Sequence, residues 1–315
     1  MSDRHLRPDL RKIRERFNAS LELDGPRRRS QPADLSSSPL TGRVIFIVGS
    51  PRSGTTWLQQ VAIVHPLLAT GAESHIFCEG LEGLWELDRE RKTRMGLRTW
   101  ITRPDFIRLI RQLCDGIFGA ALLAAPGTTH VLEKTPHHAD GAAARMAEVY
   151  PDATYVHIIR DGYSSAASLR HLWNQQGLDR SLGDSAVVWR DGVESIRSAL
   201  SSLRYAEIRY EDMAADPAGC LRTMFTLASL PWDEALVAAA VEHGRVRVNV
   251  ERSDDRDGTS KWDGLDYTAR AEIDAVASEL LESLGYLRSE AAGPDPTSVR
   301  PQVRRRRLFS RDFEG

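Results

Sequence analysis

The chain reads as an α/β protein with a central parallel sheet and helices on both faces. Three observations predict this. Short strand-forming runs recur at residues 44–49, 129–133, 153–159 and 205–210, bounded by turn formers. Segments of helical periodicity separate them, and that alternation gives a parallel sheet with crossover helices. The residues with the most chemistry to offer, those at 50–56 and Lys134, Arg160 and Tyr210, fall just after these runs. Open parallel sheets bind ligands past the carboxyl ends of their strands.

Taken in order, residues 6–17 read as an amphipathic helix, followed by a segment rich in Arg, Ser and Pro. Residues 1–41 are therefore expected to be a flexible N-terminal segment. The folded domain is expected over 42–288. Residues 44–49 are the first strand, and a helix over 55–64 ends at His65-Pro66. Residues 69–76 are short and mixed. Residues 81–103 read as mobile and polar, anchored by Trp85 and Trp100. Residues 104–123 carry Phe106, Ile107, Ile110, Leu113 and Ile117 at helical spacing, with Pro104 near the start. Further helices are expected over 138–149, 162–173, 182–200, 217–228 and 269–284. Residues 251–264 read as a polar loop and 289–315 as a basic C-terminal tail. No internal repeat is evident.

Composition bounds the function. With 315 residues, 41% of them hydrophobic, the chain can bury a substantial core. A net charge of -2 supplies no global basic field, so nucleic acid is not the default partner. Cys78, Cys114 and Cys220 lie far apart, against both a zinc site and a disulfide scaffold. No apolar stretch has the length of a membrane span, and no apolar signal core opens the chain. The expectation is a soluble, cytoplasmic protein. Only four basic residues are Lys (Lys12, Lys92, Lys134, Lys261), so two Lys inside the motifs below stand out.

The segment Gly49-Ser50-Pro51-Arg52-Ser53-Gly54-Thr55-Thr56-Trp57 follows the first strand and opens a helix. Loop amides and a helix N-terminus there converge on one spot and favour a phosphate-like anion. Ser53, Thr55 and Thr56 add hydroxyl donors, and Arg52 adds a positive fork. The glycine spacing is that of the P-loop G-x-x-x-x-G-K-[ST], so the fold is expected to be P-loop nucleotide-binding-like. Thr55 stands where that pattern has Lys, and the cation sits inside the loop at Arg52. A different anion or a different chemistry follows. A second constellation, Arg160-Asp161-Gly162 with Ser168 about two helical turns on, could grip another phosphate.

These motifs resemble the sulfotransferases that use 3′-phosphoadenosine 5′-phosphosulfate (PAPS) as donor and release 3′-phosphoadenosine 5′-phosphate (PAP). The P-R-S-G-T-T-W segment resembles the family's 5′-phosphosulfate loop. Arg160 and Ser168 match its 3′-phosphate grip. His65-Pro66 and Gly71-Ala72-Glu73 lie at the spacing found in tyrosylprotein sulfotransferases, which implies Glu73 as general base, although Ala72 replaces that family's first Glu. Glu133-Lys134-Thr135-Pro136 resembles the strand end whose Lys stabilises the transferring group. Arg209-Tyr210-Glu211 resembles a segment whose Tyr touches the nucleotide. Ser260-Lys261-Trp262 resembles an S-K-W segment near the phosphates. Trp57 is instead the cytosolic enzymes' feature, stacked there on adenine. Those enzymes use a His in K-T-H, so His137 and His138 are rival bases here. Arg256-Asp257-Gly258 loosely resembles a further phosphate contact, one residue short of the family spacing.

The resemblance covers about residues 43–265, as motif islands with divergent stretches between. It implies an enzyme that transfers a sulfuryl group to a hydroxyl, less readily an amine, of a small molecule, lipid, sugar or peptide. Lys134, Arg52 and Thr56 would stabilise the sulfuryl oxygens and the leaving phosphate, without a metal. The alternatives are a P-loop small-molecule kinase and a non-catalytic nucleotide-binding protein of the same fold. The composition looks bacterial. The acceptor and the oligomeric state, monomer or homodimer, stay open. The basic run at 304–307 reads as a solvated tail.

Overall fold

The structure, a computed structural model, describes residues 34–35, 38–88, 97, 100–136, 141–251 (245–251 by backbone alone) and 265–287. Strand β1 (Val44–Val48) turns into helix α1 (Thr55–Ala62). Strand β2 (Leu68–Thr70) follows, then a single π-helical turn (Ile76–Gly80), α2 (Glu82–Asp88) and α3 (Arg103–Ala124). Next come β3 (His130–Lys134), α4 (Ala142–Val149), β4 (Thr154–Ile159), α5 (Gly162–Gln175) and α6 (Leu182–Leu200). The described chain continues through β5 (Arg204–Arg209), α7 (Tyr210–Ala215), α8 (Pro217–Leu227), α9 (Glu234–Glu251) and α10 (Tyr267–Ser283).

The strands form one sheet in the order β2-β3-β1-β4-β5, and every pair is parallel. Val44 sits beside Val131 on one side, and Ile45 beside Thr154 on the other. The chain thus leaves β1 in opposite directions across the sheet. That reversal opens a crevice at the carboxyl end of β1, the usual ligand site of such sheets.

β1 is buried along its whole length because it feeds two cores. Successive side chains point to opposite faces of a strand. Val44, Phe46 and Val48 pack with Phe106 and Ile110 of α3, Met146 of α4 and Leu200 of α6. Ile45 and Ile47 pack with Leu58 and Val61 of α1 and with Leu221 and Phe225 of α8. A third cluster joins α5, α6 and α10 through Tyr163, Trp189, Val193 and Leu281. Helices therefore cover both faces, as the sequence predicts.

Local chemistry sets the helix starts. Thr102 and Asp105 form a reciprocal capping box at α3, with Pro104 in its first turn. Asp216 caps α8 ahead of Pro217. His65 is buried, bonded to the Pro231 carbonyl at 2.8 Å and edge-on to Phe225, so the His65-Pro66 pair is part of the core.

The structure corrects three readings. Residues 69–76, read as mixed, contribute to a fifth strand, β2, which aligns with β3 from Leu68 beside His130. Three residues are too few to show alternation. Residues 82–88, read as mobile and polar, form α2, and Trp85 is buried against Phe106 with Arg103 over its ring. Trp100 is no anchor: it is 86% exposed, and Ile101 packs on the core instead. Helix α9 had no counterpart in the sequence reading. The expected N-terminal helix, the 252–264 loop and the tail lie outside the described residues, as do His137, His138, Arg256, Ser260 and Lys261.

Candidate active site at the carboxyl edge of the sheet

The loop between β1 and α1 is built by close approach. A Cβ on Gly49 would lie 2.8 Å from the Ile158 carbonyl oxygen of β4. Gly54 has φ +100°, and a Cβ there would meet the Tyr210 ring at 2.5 Å. Both positions demand glycine. Arg52 also takes a left-handed backbone, φ 71°, without being glycine. Such residues cluster at ligand clamps. Ser50 Oγ donates to the Trp189 carbonyl at 3.0 Å and pins the loop to α6. Gly54 stands at the N-cap of α1, so no side chain caps that helix. Ser53 Oγ is fully buried with no hydrogen-bond partner. An uncapped helix start beside an unsatisfied hydroxyl suits an anion.

On one side of this loop stands the corner after β4. Arg52 Nε donates to Ser168 Oγ at 3.0 Å. Arg160 reaches the Arg52 carbonyl at 3.4 Å and lies 4.3 Å over the Tyr210 ring. Its own backbone is clamped: Trp189 Nε1 donates to the Arg160 carbonyl at 3.1 Å. The next amide, of Asp161, donates to Glu211 Oε1 at 3.0 Å, and Tyr286 holds the other Glu211 oxygen at 2.8 Å. Asp161 caps α5 through the Tyr163 and Ser164 amides. Burial pushes its carboxyl pKa up, against the hydrogen bonds from Ser164. Trp57 meets Tyr210 edge-on at 5.4 Å.

On the other side stands the end of β3. Lys134 is 3% exposed. Its Nζ donates to Thr56 Oγ1 at 3.1 Å and pairs with Glu73 Oε1. Glu73 is open to solvent, and His75 Nε2 lies 3.4 Å from its second oxygen. Beneath them Glu133 is buried and accepts from Ser74 Oγ at 2.7 Å and Thr135 Oγ1 at 2.6 Å. Burial pushes its carboxyl pKa up, opposed by these hydrogen bonds. Gln59 of α1 donates to Thr70 Oγ1 at 2.8 Å and ties the start of the Glu73 segment to α1.

A family model described as Sulfotransferase family matches residues 44–234, more than half of the chain. The chain belongs to the sulfotransferase family. Protein-tyrosine sulfotransferase 1 of Danio rerio is 24% identical over 266 residues, which cover 77% of this sulfotransferase and 72% of that protein. The omega-hydroxy-beta-dihydromenaquinone-9 sulfotransferase of Mycobacterium tuberculosis is 28% identical over 185 residues, 55% of this chain and 45% of that one. Among solved structures, the sulfotransferase domain of the Synechococcus PCC 7002 olefin synthase aligns with a TM-score of 0.52 at 17% identity, over 83% of this chain and 98% of that one. A mouse sulfotransferase complexed with PAP aligns with a TM-score of 0.51 at 13% identity, over 76% and 85%. At these identities the likeness shows the fold. The family match displaces the kinase reading.

Within this sulfotransferase the predicted residues form two groups around one loop. Arg52, Gly54, Trp57, Arg160, Ser168 and Tyr210 gather on the α5 side. Thr56, Glu73 and Lys134 gather on the β3 side. Thr55 is buried beneath the loop, its methyl facing Gly49. Sequence reasoning missed Glu133, Ser74, Trp189 and Glu211 as supports. Glu133 carried a signal, a carboxylate inside a strand that must be buried. Glu211 was visible only as part of the Arg209-Tyr210-Glu211 segment, and Trp189 carried no signal of a supporting role, because their partners are remote in sequence. Among the described residues no three His, Cys, Asp or Glu side chains gather as a metal site, and no helix is long and apolar enough to cross a membrane.

Proposed function

We propose that this sulfotransferase moves a sulfuryl group from PAPS to a hydroxyl acceptor, with Glu73 as general base. The observation that supports this best is that one loop carries both groups. Arg52 and Arg160 meet Ser168 and Tyr210 on one side of it, while Thr56 meets Lys134 and Glu73 on the other. The buried Ser53 hydroxyl and the uncapped start of α1 fit a phosphosulfate. When bound, PAPS supplies the sulfuryl group and a phosphate leaving group.

Each residue then has a task. Arg52, Ser53, Gly54, Thr55 and Thr56 hold the 5′ end. Arg160 and Ser168 hold the 3′-phosphate, and Trp57 and Tyr210 contact the nucleotide. Ser260 and Lys261, outside the described residues, are proposed to lie near the phosphates. Lys134 and Arg52, already in place, stabilise the charge that develops on the sulfuryl oxygens and the leaving phosphate, which is where such transfers gain most. Glu73 takes the acceptor proton. Its carboxylate is paired with buried Lys134. Relatives named for protein tyrosine and for an omega-hydroxy menaquinone support a hydroxyl acceptor. A cytoplasmic location is part of this reading.

Titration calorimetry with PAP, beside ATP and magnesium, tests the donor. PAP should bind, and Arg160→Ala should weaken it about tenfold or more, the scale of a lost charge-assisted hydrogen bond. ATP binding without PAP binding would overturn the reading. Glu73→Gln should bind PAP normally yet lose about 10²- to 10⁴-fold in turnover. Undiminished turnover would pass the role of base to His137 or His138.

A further inference from the structure

We infer that the outer face of α3 is the docking surface for the chain's own N-terminal segment, residues 6–17. The inner face of α3 is spent on the core through Phe106, Ile110 and Phe118. The outer face carries a second apolar row that nothing among the described residues covers. Leu109 is 50% exposed, Leu113 43%, Ile117 48% and Leu123 86%. Gly116 and Ala120 lie between them on the same face. Positions 109, 113, 116, 120 and 123 step by four and three alternately, the spacing of a coiled-coil seam. The two small residues leave its middle hollow.

The sequence holds a matching row. Leu6, Leu10, Ile13 and Phe17 step by four, three and four. Arg7, Arg11 and Arg14 stand between them, so a helix over these residues would be apolar on one side and basic on the other. Pro8 and Asp9 suit its first turn and Arg16 its last. Bulky Leu10 and Ile13 complement a seam centred on Gly116 and Ala120. As helices the two rows are about 17 Å and about 21 Å long, so one covers most of the other.

The chain also delivers the segment to this place. Leu35 packs against the cluster that contains the inner face of α3. Ser38 Oγ donates to Asp115 of α3 and accepts from Arg111 Nε at 3.2 Å. The stretch between Phe17 and Asp34 can span about 50 Å extended, more than the roughly 33 Å length of α3. Every register is in reach, at the high effective concentration of a short tether. A second copy of the chain would have to bring its own small-centred row onto this one, hollow against hollow.

Alkylation kinetics test the assignment in the full chain. Leu113→Cys is placed in a Cys78→Ser/Cys220→Ser background, which leaves buried Cys114 untouched. A maleimide is then added, with and without Leu10→Asp/Ile13→Asp, and circular dichroism verifies that both chains are folded. The intact segment should slow modification of position 113 about tenfold or more relative to the disrupted one. Equal, fast rates would overturn the inference. Equal, slow rates would overturn it too, and a light-scattering mass of two chains would then assign the face to a second copy.

Discussion

Gly54 shows how a single hydrogen atom sets the site. Its φ of +100° and the 2.5 Å approach of a Cβ to Tyr210 act together. Gly54→Ala should cost about 1–3 kcal/mol in urea denaturation and abolish PAP binding in calorimetry. Gly42→Ala is the control: its φ is +69° but nothing lies within 4 Å of the new Cβ. It should show the stability loss alone; lost PAP binding there would sink the steric account. Glu133 makes the opposite case, a residue that touches no reacting atom. It fixes Ser74 and Thr135, the neighbours of Glu73 and Lys134. Glu133→Gln leaves one acceptor oxygen and adds donors where only donors point in. It should lower kcat about ten- to a hundredfold with PAP affinity kept, because catalysis suffers from small misplacements. Unchanged kcat would make Glu133 a structural residue only. The motif residues were legible because anion chemistry restricts their types. Glu133 was masked by the Lys134 beside it, and Trp189 by the ordinary presumption that a buried Trp is packing.

At the scale of elements, four of the five strands were legible, because a strand buried on both faces reads as an apolar block. β2 was not, since three residues carry no pattern and its place rests on pairing with β3. Helix α2 was hidden by its charge. Its polar residues are partnered through Arg103 and Arg145, with Asp88 and Glu82 as their acceptors. The edge strand β5 supports a pH prediction. Glu207 of β5 accepts from Arg197 of α6 at 2.6 Å and from Tyr205 at 2.5 Å. Burial alone would raise its pKa, but the His157, Arg197 and Tyr205 side chains hold it far below the usual carboxylate range. A carboxylate depressed in the folded state contributes stability above its unfolded pKa, near 4.3. That contribution fades as pH falls toward the folded value. Glu207→Gln should therefore melt lower than the parent at pH 7, with the gap closing below about pH 3. A gap of equal size at both pH values would locate the loss in packing.

Over the whole molecule, the third hydrophobic cluster was the least legible part. The sequence predicts α5, α6 and α10 separately but has no signal that they meet. They meet at Gly162, where a Cβ would lie 2.8 Å from Leu281 and 2.9 Å from Trp189. The Arg160 corner therefore rests on a helix far along the chain. Leu281→Ala should cost about 2–5 kcal/mol in denaturation and also weaken PAP binding under conditions where the protein stays folded. Unaltered affinity would mean that the corner stands without α10. The strand order has a consequence in time as well as in space. β1 is made first, yet its neighbours are β3 and β4, and Ile45 waits for Thr154 to exist. Long-range parallel pairing of this kind folds slowly. The proposed grip on the nucleotide is thus completed only after Tyr210 and then Leu281 have left the ribosome. A chain cut before these residues would carry the loop's letters without the proposed grip.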